Sequence, residues 1–193
     1  MTLLLIGLIV FLGVHSIRIV ADDWRTNRLS SKGEASYKGL YSIVSGLGLA
    51  LIIWGYGLAR ASPVELWSPP VWTRHLAGVL MVLSLALLLA AYVPGSKLKA
   101  WAHHPMVLGV KVWAFAHLIA NGRLADVLLF GGFFVWAVLN FRAARQRDRA
   151  ADVRYPAGSW SRDAVIWLAT LVLWWLFVRY LHAWLIGVNP FAL

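Results

Sequence analysis

Runs of about twenty consecutive apolar residues constrain this chain more than any motif in it. A bilayer core about 30 Å thick needs about 20 helical residues to cross it. Within that core every backbone N–H and C=O must be paired inside the protein, which leaves helices or closed barrels. The runs here, such as "TLLLIGLIVFLGV" and "LAGVLMVLSLALLLAAYV", are continuous rather than alternating, so they read as helices. With 61% hydrophobic and 13% charged residues, the chain carries about half the charge of an average soluble domain. The expected fold is all-α: a polytopic membrane helix bundle of about six transmembrane helices, forming a single domain over residues 1–193.

The six expected spans cover residues 2–21, 37–59, 71–93, 104–121, 124–141 and 164–186. Basic residues alternate between the connections. The first holds Arg25, Arg28 and Lys32, the third Lys97 and Lys99, and the fifth Arg142, Arg145, Arg147, Arg149, Arg154 and Arg162. The second offers Arg60 and Arg74 and the fourth Arg123. By the positive-inside rule the odd connections are cytoplasmic and both termini lie outside. The formal net charge of +10 then faces anionic lipid and calls for no nucleic acid. "MTLLLIGLIVFLGVHSIRIV" lacks a basic start and a small-residue cleavage pattern, so it reads as a retained first helix. Trp67, Trp72 and Trp160 sit at span edges as interfacial anchors. Small residues in "GLYSIVSGLG" offer the second span a close-packing face. The absence of cysteine excludes disulfides, thiolate metal sites and covalent haem attachment.

Ionisable groups inside spans cost at least about 2.5 kcal/mol each at the centre and mark functional sites. The first span holds His15 and Arg18, with Asp22 one turn on, where Arg18 and Asp22 pair at the interface. The fourth, "HHPMVLGVKVWAFAHLIANG", is the densest. At 100° per residue His104 and Lys111 share one line, and Trp113, His117 and Asn121 share another. His75 opens the third span; Arg179 and His182 share a face near the end of the sixth. His75, His117, Arg179 and His182 form a candidate outer group.

Histidines without cysteine, and with few acids in the spans, suit three chemistries. Imidazoles on two helices can ligate haem iron. They can bind zinc or copper or relay protons. At about 1.5 Å per residue, His15 lies roughly 9 Å and His117 roughly 20 Å above the inner boundary. His104 lies about as far from His15 on the other side, so depth leaves the pairing of His15 with His117 or His104 open.

At "HHPMVLGVKVWAFAHLIANG" the chain resembles the NnrU family of membrane proteins. "FLGVHSIRI", "WTRHLAG" and "LHAWLIGVNP" are similar to the same family and occur in order, so the resemblance covers essentially the whole chain. It implies a protein of the bacterial inner (cytoplasmic) membrane that supports nitrite and nitric oxide reduction in denitrification, beside respiratory nitrogen-oxide reductase systems. The zeta-carotene isomerases of plants and cyanobacteria, which are membrane proteins with a b-type haem, resemble it more distantly. Their motifs match His15-Ser16 and His104, Pro105, Gly109, Trp113, Ala116 and His117. That likeness implies non-covalent haem b with His15 and His117 on the iron. Arg18, Lys111 or Arg179 would then meet the propionates, and Trp113 and Asn121 would line the pocket. The same likeness implies a haem-dependent isomerase as an alternative function, with one departure: those enzymes carry a cysteine directly after the tryptophan, where this chain has Ala114. "HHPMVLG" also resembles the "RHPMYLG" box of membrane methyltransferases of the isoprenylcysteine carboxyl methyltransferase type. That likeness implies S-adenosylmethionine near His104 and Pro105. The paired glutamates of those enzymes are missing, and "RAARQRDRA" is basic instead.

Overall fold

The structure is a computed structural model and describes residues 1–191. Among them regular structure is helical, with two isolated backbone bridges in the connections. The elements are α1 (Thr2–Val20), α2 (Asp22–Lys32), α3 (Glu34–Ala61), α4 (Val71–Tyr92), α5 (Lys97–Ala102), α6 (Pro105–Ala120), α7 (Leu124–Ala150), α8 (Trp160–Leu176) and α9 (His182–Ile186). A π-helical turn, Phe177–Leu181, joins α8 to α9.

Among the described residues five helices are long and apolar enough to cross a membrane: α1, α3, α4, α7 and the continuous stretch Trp160–Ile186. The expected fourth span is shorter. α6 has 16 residues, about 24 Å at the helical rise, because Pro105 sets its first turn and Asn121 is already extended. Two further departures have plain causes. Residues 22–32, expected as a connection, form α2; Asp22 and Asp23 in its first turn and Lys32 in its last complement the helix dipole. α7 runs to Ala150 rather than 141, since "RAARQRDRA" is built of good helix formers.

By its contacts the chain divides into two compact units, each made of two segments. The first comprises Met1–Ser68 with Gly122–Ala144; the second comprises Pro69–Asn121 with the described residues from Arg145 onward. In the first unit α1 lies against α3 with backbone touching backbone. A methyl group added at Gly7 would sit 2.6 Å from the Ile52 nitrogen, and one at Gly48 2.8 Å from that of Phe11. At Gly55 it would overlap Leu4 outright. Lipid offers helices no hydrophobic drive to associate, so such close approach supplies the attraction. Leu66 and Trp67 N–H donate to the Gly122 carbonyl and Leu124 N–H to that of Val64, tying the connection after α3 to the start of α7.

In the second unit α4 packs on α6 and on α8. Ser84 Oγ, fully buried, donates to the Gly109 carbonyl across the α4–α6 contact at 2.9 Å. Ala86, Ala90 and Ile166 form the dry contact between α4 and α8. The side chain of Ser96 caps α5 by accepting from Lys99 N–H, and buried Asp163 accepts from Leu98 N–H.

Candidate functional site

The two best internal histidines fall in different units, His15 in the first and His117 in the second. His15 is half-buried on α1. Its Nδ1 lies 2.7 Å from the Phe11 carbonyl. A carbonyl only accepts, so Nδ1 carries the proton and the neutral ring bears its lone pair on Nε2. Phe11 stacks on the imidazole at 4.2 Å, Tyr41 approaches at 5.2 Å and Trp136 meets it edge-on at 6.0 Å. The indole N–H of Trp136 is buried without a hydrogen-bond partner among the described residues. Such an orphan costs about 1–3 kcal/mol. Tyr41 also lines a cavity of about 520 Å³ bounded by α1, α2 and α3, with Trp24, Arg28, Lys32 and Tyr37 on its wall.

His117 on α6 repeats the arrangement. Its Nδ1 donates to the Trp113 carbonyl at 2.9 Å, which again places the lone pair of the neutral ring on Nε2. The Trp113 ring stands 5.3 Å away and Asn121 Nδ2 donates to the His117 carbonyl at 2.9 Å. The helical line of Trp113, His117 and Asn121 is therefore a contiguous surface. Lys111 is half-buried on the same helix.

The start of α6 is a second polar centre. His103 has φ +60° and ψ −57°, and His104 N–H donates to the Ala102 carbonyl at 2.6 Å. This is a γ-turn of the strained hand. It turns the His104 ring toward Asp148 on the charged end of α7, Nε2 to Oδ2 at 2.7 Å. The same oxygen accepts from Tyr155 Oη at 2.7 Å and Arg145 Nη1 at 3.2 Å. The His103 ring meets Tyr155 edge-on at 4.3 Å. Burial and then the Arg145 guanidinium lower the His103 pKa; burial and then the bond to Asp148 raise that of the Tyr155 phenol.

The remaining residues lie near the ends of their helices. Arg18 reaches Asp22 at 3.8 Å, as the spacing suggests. His75 stacks on Phe191 at 5.8 Å, and His182 Nδ1 donates to the Val188 carbonyl at 2.6 Å. Both thus touch the C-terminal segment. Exposed Arg179 sits in the π-turn with its guanidinium over Tyr180. Among the described residues no three His, Asp or Glu side chains gather into a metal-binding group.

Two functional-looking residues escape a reading of the sequence. Asp126, 3% exposed, accepts from Tyr56 Oη at 2.5 Å within the first unit. Its signal was an acid in the first turn of a helix opening just after a connection. Asp148 sits among arginines; Arg145 is one turn before it on α7, but its other two donors, His104 and Tyr155, come from 44 residues away and from past the helix end.

The family description "NnrU protein" matches residues 3–190. The chain belongs to the NnrU family. The NnrU match takes in His15, His75, His103, His104, His117 and His182 together, along with both helices that carry the pinned imidazoles. No curated protein and no solved structure matches the chain.

Proposed function

We propose that this integral membrane protein binds a non-covalent b-type haem and serves nitrite and nitric oxide metabolism in denitrification, in the bacterial cytoplasmic membrane. His15 and His117 are its candidate axial ligands. The observation that carries this reading is their shared preparation: in each, Nδ1–H is given to the carbonyl four residues back, at 2.7 and 2.9 Å, and Nε2 keeps the lone pair. A metal-binding histidine is oriented in this way by a hydrogen bond from its other nitrogen. His104 is built differently. Its Nε2 is engaged by Asp148, so the His104 ring is oriented by a carboxylate rather than by a carbonyl on its own helix.

The surroundings of His15 suit a flat ring with anionic edges. The adjoining cavity is walled by tyrosine and tryptophan rings, and Arg28 and Lys32 border it as partners for carboxylates. Trp136 presents an unused N–H beside the imidazole. When bound, haem supplies an iron centre that exchanges single electrons or takes a small diatomic ligand. The chain's part is to fix the imidazole planes, exclude water with Phe11, Tyr41 and Trp136, and neutralise the propionates.

The purified protein, expressed with adequate haem, should show a Soret band with six-coordinate features. His15→Ala and His117→Ala should each lose those features; if both keep them, the ligand assignment is wrong. A preparation without haem under these conditions removes the reading altogether. A deletion strain that reduces nitrite and nitric oxide at the normal rate would remove the physiological part alone.

A further inference from the structure

The second unit contains a ring-shaped seat that the haem reading does not use. α4 and α8 border a cavity of about 510 Å³, lined in part by His75, Gly78, Val79, Trp167 and Trp174. Phe191 puts its ring into this space. The ring lies 5.8 Å from the His75 imidazole, tilted by only 13°, and meets Trp174 at 6.4 Å and 61°. Gly78 makes the floor: a Cβ there would fall 2.7 Å from Phe191 Cζ. Trp174 Nε1 donates to the Gly78 carbonyl at 3.0 Å, so the wall and the floor are locked to each other independently of the ring they hold.

The segment that delivers the ring is shaped by its own short-range bonds. Gly187, at φ +76°, reverses the chain after α9. His182 Nδ1 then donates to the Val188 carbonyl, and Phe191 N–H to Asn189 Oδ1 at 3.1 Å. The contact with α4 and α8 is ring against ring and ring against glycine. A segment built in this way can leave its seat without breaking the helices it covers. The π-turn at Phe177–Leu181 lies immediately before it, and such turns recur at functional sites.

We propose that this seat binds the head group of a lipid-soluble quinone, and that Phe191 is a displaceable plug holding the place of the quinone ring. The stacked arrangement selects a flat ring. The volume lies within the range of small-molecule pockets, roughly 300–1,000 Å³, and leaves room for more than a phenyl group. Val79, Val82 and Leu83 continue the wall as an apolar track for a prenyl chain. His75 puts an imidazole beside the ring, able to donate an N–H to a ring carbonyl. Among the described residues no carboxylate and no basic side chain other than this histidine lines the cavity, which suits a neutral ligand. Val79, Trp167, Leu168 and Leu171 are exposed on the flanks of α4 and α8, so a ligand dissolved in the bilayer can approach from the side.

The test uses the full chain in lipid nanodiscs with an azido derivative of decylubiquinone. Saturable photolabelling of the α4 peptide around Gly78 or the α8 peptide around Trp174 is the expected result; labelling spread over other helices overturns the proposal. Phe191→Ala, outside the α4–α8 contact, should tighten the apparent Kd about tenfold, because a competing occupant is removed. An unchanged Kd sinks the plug. His75→Phe keeps a ring to stack on but removes the N–H, and should weaken quinone binding about tenfold while leaving binding of dodecylbenzene as it was. Dodecane competing as well as decylubiquinone would show an acyl-chain groove and overturn ring recognition. The haem spectrum should be the same with and without the quinone analogue, so loss of either reading leaves the other standing.

Discussion

The two units solve one problem, holding helices together in lipid, by opposite means. In the first, α1 and α3 touch along Gly7, Gly48 and Gly55, where nothing larger than hydrogen fits. In the second, α4 and α6 are bridged by a side-chain bond from Ser84 to Gly109, and the ends of α6 and α7 are joined through Asp148 and its three donors. The first relies on shape and the second on satisfied polarity. Shape fails all at once when a methyl is added, whereas a polar network loses its members one at a time.

Gly55→Leu breaks the comparison hardest. It drives a side chain into the backbone of Leu3 and Leu4 and should cost about 3 kcal/mol or more. Thermal unfolding in detergent should show a large fall in Tm. Gly46→Leu, in open space on the same helix, should change little; equal effects would show that helix propensity rather than contact decides.

Asp148→Ala comes next. It leaves His104, Arg145 and Tyr155 without their shared acceptor, a loss of about 2 kcal/mol. Tyr155→Phe should cost less than half of that, since the other donors remain. If the two substitutions cost the same in denaturant titration, the network is a single bond to tyrosine and the contrast between units weakens.

The Tyr56–Asp126 bond tests whether the first unit is as free of polar support as its glycines suggest. A double-mutant cycle of Tyr56→Phe and Asp126→Asn should give a coupling of about 1 kcal/mol, near the upper part of the range for bonds inside membranes. A coupling larger than the loss caused by Asp148→Ala would reverse the comparison. Ser84→Ala should have the smallest effect, about 0.6 kcal/mol, read as a slight fall in Tm with the haem spectrum unchanged.

Much of this was legible beforehand. The apolar runs at α1, α3, α4, α7 and Trp160–Ile186 give helical stretches with ends within a few residues of expectation, apart from the extension of α7, because twenty apolar residues have few alternatives in a bilayer. The small residues of "GLYSIVSGLG" did foreshadow close packing, although Gly48 makes the contact and Gly46 does not. The Arg18–Asp22 pair and the Trp113–His117–Asn121 line followed from helical spacing. Other features were not legible. Residues 22–32 carry too few apolar positions to announce a helix. The span at 104–121 looked long enough until proline and an extended Asn121 trimmed it. Asp126 does not stand out in the sequence, because its partner lies 70 residues away.

The sequence by itself determined that the chain is a helical membrane bundle, which residues lie on one helix face, and which histidines sit within apolar surroundings. These follow from backbone satisfaction in lipid and from the 100° step of the helix, both local rules. Only the tertiary structure decided which ring nitrogen each histidine commits. It set the Nδ1 bonds of His15 and His117, gave Nε2 of His104 to Asp148, and brought Phe191 back onto Gly78 and His75. Those outcomes depend on rotamers and on chain segments tens of residues apart, and spacing along one helix does not encode them.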